Sequence, residues 1–491
     1  MKRTTLILFV ILGLAGGLGG AAWAQGPGGG KGVPLSKVER LNRAPVNKEI
    51  LRVKLPRPRQ TKLSSGLTVL VLEDHKLPTV AFSLWVRAGA LADPKSLPGL
   101  AKSVAEMLRE GTTHRTSAQL SAEVDSIGAT LNASAGFGST TSTMNASGLV
   151  TTADRILDLM SDVVLNPTFP AEELEKYQKR QLAELEQQRS EPGFLAREKF
   201  YQVLYRDFPA SAVSATPESV KALTPEKLRD FHDHYYVPNN ALLGVVGDVQ
   251  FDQIISLIQQ YFGSWKSSVV KPPVLGQLPP PAPAKITLVD RPDSVQTNIL
   301  GGDYAVRRAD PDYIPLVVMN RVLGGGPSAR LFLNLRENKG YTYGAYSFFT
   351  AETYPGAWSA RTEVRNAVTD GSMHELMAEF KRIREEKVPE AELDEARRSI
   401  VARFALDLEQ PASLLNSWMT VNYYKLPEDY WDRYPEEVAK VTPEVVQRAA
   451  MKYVDLDHLQ FVCVGDGKQI KDVLKKYGTV EVYNTDGKRL E

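Results

Sequence analysis

The stretch LTPEKLRDFHDHYYVPNNALLGVVGD, residues 223–248, has a counterpart of the same length and pattern later in the chain. The counterpart, VTPEVVQRAAMKYVDLDHLQFVCVGD, covers residues 441–466 and starts 218 residues later (441 minus 223). Each copy predicts a helix that begins at Thr-Pro-Glu and ends at a tyrosine, followed by a buried strand that closes on Gly-Asp. A further helix is predicted after each copy. The repeat therefore predicts that one structural unit occurs twice.

A second pair of segments repeats at nearly the same distance. Ala92 to Pro94 reads Ala-Asp-Pro, as does Ala309 to Pro311, which starts 217 residues later (309 minus 92). Two separate pairs with almost one offset indicate an internal duplication of a unit of about 200 residues, which is an ordinary domain size. The chain is long enough for both copies.

Within each half the order of patterns is strands, then helices, then a strand and a helix. In the first half, LTVLVLEDH and TVAFSLWVRAG alternate apolar and polar residues, which predicts a hairpin with one solvent-exposed face. ATLNASAGFGSTTSTMNASG predicts another strand pair, and FPAEELEKYQKRQLAELEQQRSE predicts a long charged helix. The predicted fold class is α+β, with two homologous domains in tandem, each a mixed sheet with helices on one face.

The proline-rich stretch KPPVLGQLPPPAPAK is typical of an extended linker between two folded units. The predicted segments are a signal peptide, residues 1–24; a flexible leader, 25–50; the first domain, 51–270; the linker, 271–285; the second domain, 286–480; and a tail, 481–491.

The start of the chain predicts export. Lys2 and Arg3 precede an apolar run, Leu6 to Leu14, and small residues end in Ala-Trp-Ala at Ala24, which is the layout of a cleaved signal peptide. An uncleaved membrane anchor is the alternative. The expected location is the periplasm, if the source is a Gram-negative bacterium.

Composition excludes several classes of partner. The chain is 43% hydrophobic and 24% charged with a net charge of +1, which favours neither disorder nor a nucleic-acid-binding surface. After the signal, no apolar run is long enough to span a bilayer, so no membrane partner is expected. Cys463 is the single cysteine, so an internal disulfide bond is impossible.

The stretch PGLAKSVAEMLREGT, from Pro98 to Thr112, predicts a helix with start and stop signals. Together with YYVPNNALLGVVGD and the second-half stretch LGGGPSARLFLNLRENKGYTYGAYS, it resembles the pitrilysin or insulinase (M16) family of zinc metallopeptidases. The resemblance extends from Leu51 to Tyr477 and is to the short two-domain branch that includes the mitochondrial processing peptidase. It implies a clamshell-type dimer, in which the zinc domain of one chain faces the other domain of its partner.

The resemblance also identifies a degenerate zinc motif. In the family this helix carries His-x-x-Glu-His, with two histidine ligands and a glutamate base, and a downstream glutamate completes the site. Here Lys102, Ala105 and Glu106 occupy those three positions, and Glu184 occupies the downstream one, 78 residues after Glu106 (184 minus 106). A lysine ammonium repels zinc and alanine binds no proton. We therefore expect no metal on this chain, and an ion pair of Lys102 with Glu106 or Glu184 in its place.

No other metal site is predicted. His232 and His234 form the single close histidine pair, and residues two apart on a helix face different ways. The complete set of histidines is His75, His114, His232, His234, His374 and His458.

The resemblance implies that the second half keeps the family's substrate-contacting pair. Arg336 and Tyr343 match the arginine and the tyrosine seven residues later that project toward the substrate from the domain without zinc. A guanidinium can hold a peptide carbonyl or carboxylate, and a tyrosine hydroxyl can donate to the oxyanion that forms during hydrolysis. Asn132, Ala133 and Ser134 match the family's edge strand, to which the substrate adds as a further strand.

These observations predict a catalytically incomplete subunit of a heterodimeric metallopeptidase. Its partner would be a zinc-bearing sibling, with zinc held in that partner and none here, and its substrates would be unfolded peptides. A non-enzymatic peptide-binding or assembly protein with a peptidase fold is the alternative. A homodimeric protease with an unrecognised metal site is the third possibility.

Overall fold

The computed structural model of the protein describes residues 50–491. The predicted signal peptide, and the leader up to residue 49, lie outside the described residues. Within the described range, no helix combines the length and the apolar character needed to span a membrane.

Within residues 50–491, twelve strands form two six-stranded sheets. The strands are β1 Arg59–Lys62, β2 Thr68–Glu73, β3 Thr79–Val86, β4 Thr130–Ala135, β5 Ser142–Leu149, β6 Ala241–Gly247, β7 Lys285–Asp290, β8 Gln296–Tyr304, β9 Ala345–Phe349, β10 Ala357–Arg365, β11 Gln460–Gly465 and β12 Val480–Asn484.

Sixteen α-helices accompany the two sheets in the described range. The helices are α1 Leu100–Met107, α2 Ser117–Ser126, α3 Ala153–Leu165, α4 Ala171–Ser190, α5 Pro192–Tyr205, α6 Pro217–Lys221, α7 Pro225–Tyr235, α8 Phe251–Phe262, α9 Tyr313–Leu323, α10 Arg330–Phe332, α11 Thr369–Glu385, α12 Glu390–Asp407, α13 Pro411–Tyr424, α14 Tyr430–Ala439, α15 Pro443–Tyr453 and α16 Gly467–Leu474.

The two sheets have matching strand orders, β1-β2-β6-β3-β5-β4 and β12-β7-β11-β8-β10-β9. In each, one strand from the repeated segment, β6 or β11, runs parallel to one neighbour and antiparallel to the other. The helices before these strands begin at Thr224 and Thr442, whose hydroxyls accept backbone N–H bonds, as the Thr-Pro-Glu starts predict. The prediction of two α+β domains with mixed sheets is confirmed.

The predicted hairpin of β2 with β3 is wrong. Strand β6 lies between them, parallel to β2 and antiparallel to β3, while β4 and β5 pair directly as predicted. Four of the six β2 residues are buried, so β2 also lacks the expected exposed face. A long-range strand that enters the sheet from a later segment leaves no signal in the local alternation.

The exposed face is absent because the halves exchange one helix each. Helix α5 of the first half packs on the second sheet, where Phe200 joins Val462 and Val464 in one buried cluster. Helix α13 of the second half packs on the first sheet in the same way, where Met419 lies beside Leu242. Each sheet therefore has its own helices on one face and a helix from the other half on the opposite face.

Glycines make this exchange possible. A Cβ atom at Gly302 of β8 would lie 2.8 Å from Cζ of Phe200, and one at Gly244 of β6 would lie 2.6 Å from Sδ of Met419. Both distances are shorter than van der Waals contact, so a side chain at either position would push the exchanged helix away from its sheet.

The segments at the two predicted boundaries take part in the fold. Residues 271–284 of the linker have no strand or helix, and its last residue, Lys285, already belongs to β7. The Tyr304 hydroxyl donates to the Pro279 carbonyl at 3.1 Å, and the Gln460 side chain donates to the carbonyls of Ala282 and Pro283 at 3.0 Å. The segment assigned to a tail begins inside β12, which pairs in parallel with β7. Residues 481–484 belong to this edge strand, so the second domain extends beyond residue 480.

Candidate functional site

Helix α1 carries the positions of the degenerate zinc motif, and the loop before it fixes the helix start. The Asp93 carboxylate accepts the backbone N–H groups of Gly99 at 2.7 Å and Ala101 at 2.8 Å. Gly99 has a φ of 94°, a conformation that glycine adopts without strain. The first turn of α1 is thereby anchored and its hydrogen-bond donors are satisfied.

Lys102 and Glu106 form an ion pair on the exposed side of α1. The Lys102 Nζ lies 2.6 Å from both carboxylate oxygens of Glu106, and it also lies 3.4 Å from Oε1 of Gln181 on α4. The Tyr177 hydroxyl donates to Glu106 Oε2 at 3.0 Å, and burial, with the Glu106 charge, raises the pKa of Tyr177. This tyrosine remains a donor at neutral pH. Of the two partners expected for Lys102, the structure selects Glu106.

Glu184 joins the same network indirectly. Its carboxylate accepts hydrogen bonds from Gln181 at 3.1 Å and from Gln188 at 3.2 Å, both on α4. Tyr177, Gln181, Glu184 and Gln188 lie along one face of the helix, because they are spaced by four, three and four residues. Glu106 and Glu184 are thus connected through Lys102 and Gln181.

These residues do not fit zinc. The ammonium of Lys102 occupies both oxygens of Glu106, and no nitrogen or sulfur ligand stands beside the two glutamates, whereas protein zinc sites rely on histidine or cysteine. Ala105 is 1% exposed and belongs to the core of the first half. Its methyl side chain cannot accept a proton. Across residues 50–491, no group of three or more histidine, cysteine, aspartate or glutamate side chains is placed to hold a metal ion.

A cavity of about 320 Å³ opens beside this network. It is lined by Lys102 of α1, by Phe137 and Gly138 in the loop after β4, by α4, and by Arg197 and Tyr201 of α5. The exchanged helix α5 therefore supplies one wall. Neither Arg336 nor Tyr343 is among the lining residues.

Replacement of Lys102 by methionine is expected to lower the free energy of unfolding by about 1–2 kcal/mol. The substitution keeps the aliphatic stem but leaves the Glu106 carboxylate, one-third exposed, without its cation. Urea denaturation at low and high salt measures the loss, which should shrink at high salt. Lys176→Met on α4, whose lysine is more exposed, is the control and should give a much smaller loss. An equal loss in both variants would contradict the special role of Lys102.

Arg336 and Tyr343 lie in the second half, in the segment between α10 and β9. Residues Leu333–Asn338 form a π-helix, an uncommon geometry that recurs at functional sites. The guanidinium carbon of Arg336 lies 4.7 Å from the ring centre of Phe332, and its Nε forms an ion pair with Glu337 at 3.5 Å. Tyr343 is 91% exposed. Both side chains are exposed, and Arg336 has one neighbouring carboxylate.

The predicted peptide-binding strand is an open sheet edge. Among residues 50–491, β4 pairs with β5 on one side, and no backbone hydrogen bond from another segment reaches its other side. Asn132 and Ser134 are exposed, and Ala133 packs partly against the core. Unpaired N–H and C=O groups of this kind can pair with an added peptide strand.

The equivalent edge of the second sheet is covered at Ser347. Strand β9 turns the backbone of Ser347 outward, but its N–H donates to the Gly324 carbonyl at 2.9 Å and its carbonyl accepts from Asn320 at 3.1 Å. The glycine-rich turn after α9 thus covers the edge. The duplicated halves differ at this point, because the edge of β9 is covered at Ser347, whereas within residues 50–491 no backbone bond reaches the outer edge of β4.

A buried seam between the halves forms one end of the cavity wall. The Glu352 carboxylate accepts hydrogen bonds from Tyr424 at 2.9 Å and from Thr140 at 3.2 Å, while the Tyr354 hydroxyl donates to the carbonyl of Gly138 at 2.8 Å. Burial raises the pKa of Glu352 above its usual range, and the two hydroxyl donors offset part of that shift. Burial in the seam therefore disfavours the charged form of the Glu352 carboxyl group.

The raised pKa of Glu352 predicts a pH dependence. A carboxyl group with a higher pKa in the folded state contributes most stability below its unfolded pKa of about 4.3 and loses that contribution as pH rises through the folded value. Glu352→Gln should therefore gain stability relative to the natural chain as pH rises above the unfolded value of about 4.3. Denaturant unfolding at several pH values measures this difference. Glu395→Gln, at an exposed site on α12, is the control. A pH dependence for Glu352→Gln no larger than that of the control would contradict the prediction.

Sequence reasoning located the residues of α1 and missed those that surround them. Tyr177, Gln181, Arg197 and Tyr201 were not predicted as cavity residues. The four-three-four spacing along α4 was a usable signal for the first two. Arg197 and Tyr201 gave none, because their helix crosses to the other half.

The fold defines the chain as a duplicated α+β protein of two domains with matching strand orders. Residues 68–218 match the family model described as insulinase (peptidase family M16), and residues 222–400 match the model described as peptidase M16 inactive domain. The chain belongs to the M16 peptidase family.

Relatives of similar sequence are named zinc proteases. The chain is 28% identical to an uncharacterised zinc protease from Rickettsia felis, over 72% of this chain and 84% of that protein. It is also 28% identical to an uncharacterised zinc protease from Mycobacterium leprae, over 74% and 80% of the two chains.

Solved structures support the same fold. A peptidase M16 inactive domain from Pseudomonas fluorescens is 26% identical with a TM-score of 0.76, covering 83% of this chain and 97% of that one. A protease from Helicobacter pylori has a TM-score of 0.76 at 18% identity, covering 84% and 100%, which supports the fold alone.

Proposed function

We propose that this chain is the zinc-free subunit of a heterodimeric M16 peptidase, completing the active site of a zinc-bearing sibling. The observation that carries the proposal is that the two halves differ in which polar side chains are paired. In the first, Lys102 and Glu106 satisfy each other where family members hold the metal. In the second, Arg336 and Tyr343 stay exposed. The chain keeps groups for contacting a substrate and lacks groups for activating water.

The roles of this chain in peptide hydrolysis follow from the two exposed side chains. Stacking on Phe332 fixes the plane of the Arg336 guanidinium, and its Nε pairs with Glu337, which leaves the terminal Nη groups to hold a peptide carbonyl or a terminal carboxylate. The Tyr343 hydroxyl donates to the carbonyl oxygen of the scissile bond as negative charge develops there. The sibling supplies the metal and the base.

The open edge of β4 supports binding of an unfolded peptide. An extended segment that pairs with β4 would use backbone groups, which every sequence possesses. Because Asn132 and Ser134 present small polar side chains, this contact discriminates little among substrates. The expected substrates are therefore unfolded polypeptides, and the proposed location, following the N-terminal signal, is the periplasm.

A non-enzymatic peptide-binding or assembly protein is the second candidate. The observation that favours it is the self-satisfied network of Lys102, Glu106 and Tyr177, which stabilises the cavity without any ion. Such a protein would bind peptides along β4 whether or not a sibling were present.

Co-expression with an M16 chain that retains His-x-x-Glu-His tests the proposal. Native mass spectrometry of the purified mixture should give a one-to-one complex, and metal analysis should give one zinc per pair. The chain purified alone should contain no stoichiometric zinc. A zinc content near one per chain for this protein alone would overturn the assignment, and failure to form any complex would favour the second candidate.

A further inference from the structure

The second sheet carries a row of aromatic and arginine side chains that Arg336 and Tyr343 alone do not account for. Phe332 and Tyr346 have ring centres 5.5 Å apart, and Tyr346 and Phe348 have ring centres 6.3 Å apart. The guanidinium carbon of Arg336 stacks on Phe332 at 4.7 Å, and that of Arg361 stacks on Phe348 at 4.9 Å. We call these five side chains the Arg–aromatic row.

The row lies on the sheet face that the exchanged helix leaves uncovered. Tyr346 and Phe348 are two residues apart on β9, and Arg361 is directly opposite Tyr346 on β10, so all three share one face. Helix α5 covers β11 and β8 on this face, where Val462 and Leu300 are buried. At β9 the cover has ended, and Phe348 is 47% exposed.

The first sheet presents a different surface at the equivalent place. There the hydroxyls of Thr130 and Ser147 are 2.8 Å apart, and those of Ser134 and Thr143 are 3.2 Å apart. These groups are uncharged and bond to each other across β4 and β5. The first sheet therefore offers few groups that could select peptide side chains, whereas the second sheet offers charged and aromatic ones.

The charges of the row define the complementary ligand. Arg361 and the neighbouring Arg365 form no ion pair with any residue of the described range, and Glu363 between them is likewise unpaired there. A guanidinium stacked on a ring keeps its in-plane N–H groups free for a carboxylate. The Phe348 ring beside it, 47% exposed, and the half-buried Tyr346 ring favour an aromatic side chain. With three arginines against one glutamate on this face and one, Glu337, beside Arg336, the surface favours an acidic ligand.

We infer that the Arg–aromatic row is the substrate-selecting surface of this protein, and that it prefers extended peptides with an aromatic residue two positions from an acidic residue. Side chains two residues apart in an extended segment lie on one side, about 7 Å from each other. That spacing allows the aromatic ring to pack against Tyr346 and Phe348 while the carboxylate binds Arg361. The inference rests on the proposed function for the statement that the bound peptide is a substrate.

Direct binding to the purified mature chain, without a sibling, tests the preference. The probes are three fluorescein-labelled Gly/Ser peptides that carry Phe-x-Glu, Phe-x-Lys or Ala-x-Glu. Fluorescence anisotropy should give a Kd for Phe-x-Glu about tenfold lower than for either of the other two. Phe348→Ser and Arg361→Gln should each remove that advantage. Leu406→Ser and Arg398→Gln, exposed on α12, are the matched controls and should preserve it.

Equal Kd values for the three peptides would overturn the inference, as would an unchanged preference in Phe348→Ser and Arg361→Gln. Both substituted side chains are on the surface, so the variants should fold, which circular dichroism checks. The test is independent of the proposed function. A preference for Phe-x-Glu with no peptidase activity in the mixed complex would retain the binding surface and reject the catalytic role, and the reverse result would do the opposite.

Discussion

Replacement of Tyr343 by phenylalanine is expected to lower kcat of the mixed complex about 10²–10³-fold, with little change in the stability of this chain. The substitution removes a single hydroxyl from a side chain that is 91% exposed, so the chain should fold as before. The loss falls on kcat because the hydroxyl is proposed to donate to the carbonyl oxygen as its charge develops, and contributes less in the ground state.

Tyr341→Phe provides the matched control for this experiment. Tyr341 lies two residues earlier in the same segment, partly buried against Gly371, and its loss of a hydroxyl should leave kcat within about twofold. Steady-state kinetics on one unfolded peptide compares the variants. An unchanged kcat for Tyr343→Phe would contradict the proposed role, as would an equal loss in both variants.

Replacement of Phe200 by alanine is expected to lower the free energy of unfolding by about 3–5 kcal/mol. Phe200 is 0% exposed and is the residue by which α5 packs on the second sheet, close to Gly302. The cavity left behind cannot close easily, since the surrounding residues belong to two different halves. Met419→Ala, at the corresponding contact of α13 with the first sheet, should cost about 2–5 kcal/mol.

Gln202→Ala, on the exposed side of α5, is the control for both variants and should change stability by less than about 0.5 kcal/mol. Guanidinium denaturation followed by tryptophan fluorescence measures the losses. If Phe200→Ala cost less than about 1 kcal/mol, the exchanged helix would not contribute to the join between the halves in the way its burial indicates.

The duplication was accessible from the sequence because it rests on long segments with strong local signals. Thr224 and Thr442 mark helix starts, and the strands that follow are buried throughout and apolar except for Gln460. The position of β6 between β2 and β3 was not accessible, since strand order depends on contacts between distant segments. The exchanged helices follow the same rule, because the apolar residues of α5 predict burial without naming the sheet that buries them.

The site was partly accessible. The Lys102 and Glu106 pair follows from their spacing of four residues and opposite charge, and the structure confirms it. Tyr177 and Gln181 were hidden in a helix that reads as a solvated charged surface. Apart from Arg336, the Arg–aromatic row was not predicted. Phe332, Phe348 and Arg361 lie in three segments that are apart in the sequence and meet only in the folded sheet.

The most direct test of the central claim is a peptidase assay on unfolded peptide with the two subunits alone and mixed, each with and without a chelator. The account predicts no cleavage by this chain alone, efficient cleavage by the mixture, and loss of that cleavage on chelation. It also predicts that the mixture loses activity when Tyr343→Phe replaces the natural chain. Chelator-sensitive cleavage by this chain alone, or equal activity of the sibling with and without it, would contradict the account.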